Sequence, residues 1–171
     1  MSRIFDMYTS LVIDANDTYI RSYPALLNCL QHLAERRDPH ALMTMAHAVY
    51  GWMPTIVSIN GDEARLTEAA NLVDEARYRL LDAEEIQVLA SCINNSVVGT
   101  SKLLHFTNPG LHPIWDSRVY RCLNRDTPRE TPHPHRVNNV SAYLGYRDDI
   151  HETARDPRCD ALDRKSTRLN S

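Results

Sequence analysis

Lysine is almost absent from this chain: two residues against seventeen arginines, with one of the two among the last seven positions. GC-rich codon usage accounts for such a skew, and it leaves Lys102 as the single lysine of the body of the protein. No run of about 18 apolar residues occurs, which excludes a membrane-spanning helix. The opening MSRIFDMYTSLVIDAND contains acids and lacks a charged-then-apolar leader, so no secretory signal is expected. The four cysteines, Cys29, Cys92, Cys122 and Cys159, never form a CxxC pair. That spacing argues against a zinc site or a disulfide framework and for reduced thiols in a cytoplasmic protein. Strand-type alternation is scarce as well. Leu11-Val12-Ile13 is too short to argue a sheet, and only the stretch from Ile56 to Ile59 competes.

The last nine residues, DRKSTRLNS at 163–171, match the translation of a widely used sequencing adapter. They are set apart from the fold as an artefact tail, and the native reading frame is expected to be cut near Leu162. Without them, 21 acidic and 16 basic side chains remain, a net of −5. Residues 1–162 are long enough for one domain with a sizeable core.

What is present is helical periodicity. Leu26, Leu27, Leu30, Leu33 and Ala34 recur at helical spacing. Asp38-Pro39 supplies an N-cap and a first-turn proline, ahead of the stripe Leu42, Met45, Ala46, Val49. Asp62 is placed to cap a longer helix with Leu66, Ala69, Val73, Ala76 and Leu80 facing inward. Asp82 and Glu85 have the spacing of a capping box before Ile86, Leu89, Ala90 and Ile93. A proline-bearing loop covers 126–135, and a last helix is expected over about 138–154, with Val140, Tyr143, Leu144, Arg147 and Ile150 on one face. The expectation is an all-α, compact multi-helix single domain.

Charge is uneven. Residues 1–100 carry a net of −6, residues 101–136 a net of +3 with four histidines, and residues 137–162 a net of −2. A local positive face on an acidic protein suits a confined anionic ligand; five arginines solvating a proline-rich loop is the alternative. Inside that region lies the one segment with the look of a site, residues 94–123, NNSVVGTSKLLHFTNPGLHPIWDSRVYRCL. Ser96-Val97-Val98-Gly99-Thr100 reads as a hairpin between helices. The next helix, over about 101–106, would then open with free backbone N–H groups that seat a phosphate. Pro113 stiffens the approach to Trp115, and Asp116 stands where an N-cap belongs.

This segment resembles the helix-hairpin-helix superfamily of DNA glycosylases, of 8-oxoguanine-glycosylase-like fold. In that superfamily an apolar-glycine hairpin binds a DNA phosphate through backbone amides. Some members carry a lysine just after it that forms a Schiff base with the sugar, and an aspartate beyond the next loop stabilises the developing cation or activates the nucleophile. Gly99 matches the second hairpin glycine, Lys102 lies near the lysine position, and Asp116-Ser117-Arg118-Val119 resembles the aspartate motif. Val97 stands in the place of the first hairpin glycine, and no iron–sulfur cysteine set is present. The phrase SKLLHF…NP…PIWDSRV is also similar to small bacterial and phage-associated proteins of this fold with no established activity.

The resemblance implies catalysis by Asp116 and Lys102 and DNA contacts from Gly99, Thr100, Ser101, Arg118 and Arg121. Trp52, Trp115 and His112 are candidates for a base-stacking pocket, with DNA as the partner and no cofactor or metal. Each residue has a plainer reading. Asp116 caps a helix, worth about 1 kcal/mol whether or not it does chemistry. Lys102 is a nucleophile only if burial lowers its pKa; otherwise it is a solvated or phosphate-facing cation. Large aromatics usually belong to the core. The functional expectation is DNA binding with base-excision-type cleavage of an N-glycosidic bond. The alternatives are a non-catalytic helical module of a defence or toxin–antitoxin system, a hydrolase of free nucleotides or nucleosides, and a structural helical protein.

Overall fold

The computed structural model describes residue 14 and residues 16–124 and 133–157. The adapter-like tail and most of the proline loop lie outside the described residues.

Short polar side chains start nearly every helix. Asp17 caps α1 (Thr18–Ala34), accepting from the backbone N–H groups of Tyr19 and Ile20. Asp38 caps α2 (Pro39–Trp52), with Pro39 in the first turn, where its missing N–H costs nothing. Asp62 caps α3 (Glu63–Glu75). Asp82 and Glu85 form both halves of the capping box that opens α4 (Ala83–Cys92). Ser96 caps α5 (Val97–Thr107), Asp116 caps α6 (Ser117–Leu123), and Asn139 caps α8 (Val140–Ala154) after the short α7 (Pro134–Val137). The protein is all-α: 68% of the described residues are helical, and the one trace of sheet among them is an isolated antiparallel bridge between Ile59 and Ile93.

α5 is the central helix, packed against α1, α2, α3, α4 and α8. Its position explains its composition. Val97, Gly99, Thr100, Ser101, Leu103, Leu104, Phe106 and Thr107 are all buried, and within this helix only the narrow stripe of Val98, Lys102 and His105 is partly exposed. Around it close Leu42, Met45 and Val49 of α2, Ile86 and Leu89 of α4, and Tyr143 of α8.

Two sequence expectations are corrected here. Residues 96–100 are no hairpin: Ser96 is an N-cap whose hydroxyl accepts from Gly99 N–H at 3.1 Å, and the helix runs unbroken from Val97. The reversal of the chain occurs two residues earlier, at Asn94 and Asn95, with φ of 55° and 49°. Asparagine tolerates this left-handed region better than other non-glycine residues. Asn94 also holds the 55–59 segment, accepting from Ser58 N–H and donating to the Ile56 carbonyl at 2.9 Å. The second correction concerns α3, which stops at Glu75, so that Leu80 is half-exposed and Leu81 goes into the core instead. Arg79 then bridges Glu75 and Glu85 across the turn.

Candidate functional site

One hydrogen-bonded crossing sets the geometry. Ser101, in the second turn of α5, accepts from the backbone N–H of Trp115 at 3.1 Å and turns its own proton to the Val98 carbonyl at 2.9 Å. Trp115 is itself locked: it is 2% exposed, and its indole Nε1 donates to the Val137 carbonyl at 2.7 Å. The next residue on each strand of this crossing is Lys102 and Asp116, so the Ser101–Trp115 bond fixes their approach. Asp116 Oδ1 accepts from Arg118 N at 2.8 Å and Val119 N at 3.0 Å, completing the cap of α6. Its Oδ2 lies 3.8 Å from Lys102 Nζ. One carboxylate oxygen is thus committed to structure while the other faces the lysine.

Both side chains are largely enclosed, 14% exposed for Lys102 and 24% for Asp116. Burial pulls the Lys102 pKa below its ordinary value; the Asp116 carboxylate opposes that shift and the Arg118 guanidinium adds to it. Asp116 also raises Tyr146, whose burial is the larger cause, to about 12.

The pair opens on a cleft of roughly 1260 Å³. Lys102, Asp116 and Arg118 form its charged end; Asn94, Asn95 and Asn138 are polar groups along its side. Tyr19 and Tyr23 of α1 and Tyr50 and Trp52 of α2 supply an aromatic wall. Trp52 packs edge-on against Tyr19 at 5.5 Å and against Phe106 at 5.2 Å between ring centroids. Tyr50 reaches Gly99, and a Cβ at position 99 would lie 2.0 Å from the Tyr50 hydroxyl and 2.7 Å from its Cζ. Gly99 is therefore glycine because another helix's phenol rests on its backbone.

The structure brings Gly99, Lys102, Asp116, Arg118 and Trp52 to one cleft. It separates the others. Thr100 and Ser101 are completely buried, so neither presents a group to DNA. The amide seat expected at this helix start is largely filled from within the protein: Val97 N–H donates to Asn138 Oδ1 at 2.6 Å and Gly99 N–H to Ser96. Arg121 is exposed, its Nε donating to the Ser117 carbonyl at 3.2 Å, and does not line the cleft. Trp115 is a core residue. His112 is fully buried with Nε2 on the Ala76 carbonyl at 3.0 Å, and burial drives its pKa down to about 4. Among the described residues, no group of three or more His, Cys, Asp or Glu side chains is arranged to hold a metal ion.

Sequence reasoning missed Tyr19, Tyr23, Tyr50, His105 and Asn138. The Tyr19/Tyr23 pair sits four residues apart on α1, a spacing that puts both rings on one face and was readable. Tyr50 and Asn138 arrive through tertiary contacts with no local signal. Compared with known proteins, the chain matches no family model, no curated protein and no solved structure.

Proposed function

We propose that the cleft binds a nucleotide unit of DNA and that Asp116, with Lys102, promotes cleavage of its N-glycosidic bond. The observation that carries this reading is the divided carboxylate of Asp116, with Oδ1 held by two backbone amides and Oδ2 left toward Lys102 on an open cleft. When the bond between C1′ and the base nitrogen breaks, its electron pair leaves with the base and positive charge develops on the sugar. A fixed carboxylate oxygen in a partly dry site stabilises that charge without reorganising. The nucleophile that then joins C1′ is water or the Lys102 amine, and burial of Lys102 enlarges its neutral, nucleophilic fraction. Tyr19 and Trp52 offer the stacking surface a base needs, and Arg118 offers one phosphate contact.

A second reading has its own support. Among the ionisable groups of the lining, three carboxylates (Asp14, Asp17 and Asp116) face two cations, Lys102 and Arg118. That balance disfavours a polyanion and suits a free nucleoside. We assign the activity to the cytosol, a setting that fits the free thiols of Cys29 and Cys92. The test is chromatographic detection of released base from duplexes carrying deaminated, oxidised or alkylated bases, run beside the free nucleosides. Release from duplex alone supports the first reading and release from nucleosides alone the second. No release from any substrate refutes both.

A further inference from the structure

The aromatic wall has a fixed hydrogen-bond polarity. His105 lies three residues after Lys102 on α5, and its two ring nitrogens have different partners. Nδ1 is 2.8 Å from the His112 carbonyl, an atom that can only accept, so Nδ1 carries the proton. Burial lowers the pKa of this imidazole and keeps it neutral near pH 7, although the carbonyl contact works the other way. Nε2 is then bare, and it lies 2.9 Å from the Tyr23 hydroxyl. A bare imidazole nitrogen only accepts, so the phenol must donate to it. The Tyr23 oxygen is left with lone pairs and no hydrogen to give, and Tyr23 lines the cleft.

We propose that Tyr23, oriented by His105, is an obligate hydrogen-bond acceptor in the cleft and selects a ligand that presents an N–H donor to it. The surroundings define the kind of donor. Tyr23 packs against Phe106 at 5.5 Å, and Phe106 in turn meets Trp52. Such an apolar, ring-lined setting suits the edge of a flat heterocycle better than a sugar hydroxyl. This inference rests on the nucleotide-unit reading above, and it specifies the base as one with a ring N–H, as in uracil or hypoxanthine. His105 acts through Tyr23 and is a positioning residue.

Two measurements on the full chain decide the matter. Nitrogen-15 NMR of histidine-labelled protein should show His105 protonated at Nδ1 and bare at Nε2, the less common tautomer in water. Calorimetric titration should show uridine binding at least about tenfold more tightly than 3-methyluridine, which lacks the ring N–H and leaves the acceptor unpaired. Tyr23→Phe should bring the two affinities together, and His105→Leu should narrow the ratio by freeing the phenol proton to rotate. A His105 protonated at Nε2 overturns the proposal outright. The expected tautomer with equal binding of the two nucleosides removes the selection and leaves the nucleotide-unit reading standing. The expected tautomer with no binding of either removes the selection and the free-nucleoside reading, and leaves the duplex reading to stand or fall on base release.

Discussion

Gly99→Ala separates a packing glycine from a hairpin glycine. In an open helix interior the substitution stabilises by about 1 kcal/mol, because glycine loses more backbone freedom on folding. Here the new methyl would meet the Tyr50 hydroxyl at 2.0 Å, Cζ at 2.7 Å and Cε2 at 2.9 Å, all closer than real Cβ contacts. Tyr50 is 3% exposed, so its ring must shift toward the cleft it lines. Overpacking of this kind costs about 1–3 kcal/mol, and three contacts under 3.0 Å put this site at the upper end. Set against the helix gain, the net loss is about 2 kcal/mol, or a midpoint lower by about 4–8 °C for a chain of this size. The assay is thermal unfolding followed by far-UV circular dichroism. Gly145→Ala is the internal control. It lies within α8, where an added methyl would meet nothing inside 4 Å, and should gain up to about 1 kcal/mol. A Gly99→Ala protein as stable as Gly145→Ala would refute the Tyr50–Gly99 contact.

His112 makes stability depend on acid. Its folded pKa near 4 lies below the ordinary 6.5, so its contribution is complete above 6.5 and is lost as pH falls from 6.5 through 4, by about 3 kcal/mol. Urea titrations at stepped pH should show that slope, flattened in His112→Gln; an unchanged slope in the variant would place the acid sensitivity elsewhere. Arg118→Ala should weaken DNA binding across all sequences and reduce the salt slope by about one, whereas Arg121→Ala, off the cleft, should change it less. Equal effects would argue against the cleft as the contact. Borohydride should trap Lys102 on abasic DNA, with yield rising with pH as the amine loses its proton, a transition displaced below the usual lysine range. Trapping that persists in Lys102→Arg would assign the nucleophile elsewhere, and base release without trapping would leave water in that role.

Most of the helix starts were legible because capping is local chemistry: Asp38, Asp62, Asp82 and Asp116 each sit within three residues of the amides they bind. The start of α5 was missed although Ser96 is an equally good cap. Its first turn, Val97-Val98-Gly99, has the β-branched pair and glycine of a chain break, and a helix with only a narrow, partly exposed stripe shows little polar–apolar period to correct that impression. Asn138, forty-one residues away, supplies the Val97 N–H partner, and nothing near Val97 announces it. The charged end of the cleft was visible because Lys102 is singular in composition and Asp116 follows a proline-stiffened approach. Of the aromatic wall, Trp52 was a candidate and the Tyr19/Tyr23 spacing was readable, but their convergence was not, since α1 and α2 meet α5 only through tertiary packing. Trp115 and His112, both candidates near the motif, went to the core, where the indole and imidazole N–H groups satisfy backbone carbonyls.

The rate of base release by Asp116→Asn, measured beside its affinity for the same substrate, tests the central claim most directly. Asparagine keeps an oxygen for the Arg118 and Val119 amides, so the cap and the fold should persist, while the negative charge facing Lys102 is removed. The account predicts release slower by at least about a hundredfold, with affinity within a few-fold of wild type and an unchanged circular dichroism spectrum. A variant that releases base at the wild-type rate would contradict it and leave Asp116 as a helix cap alone.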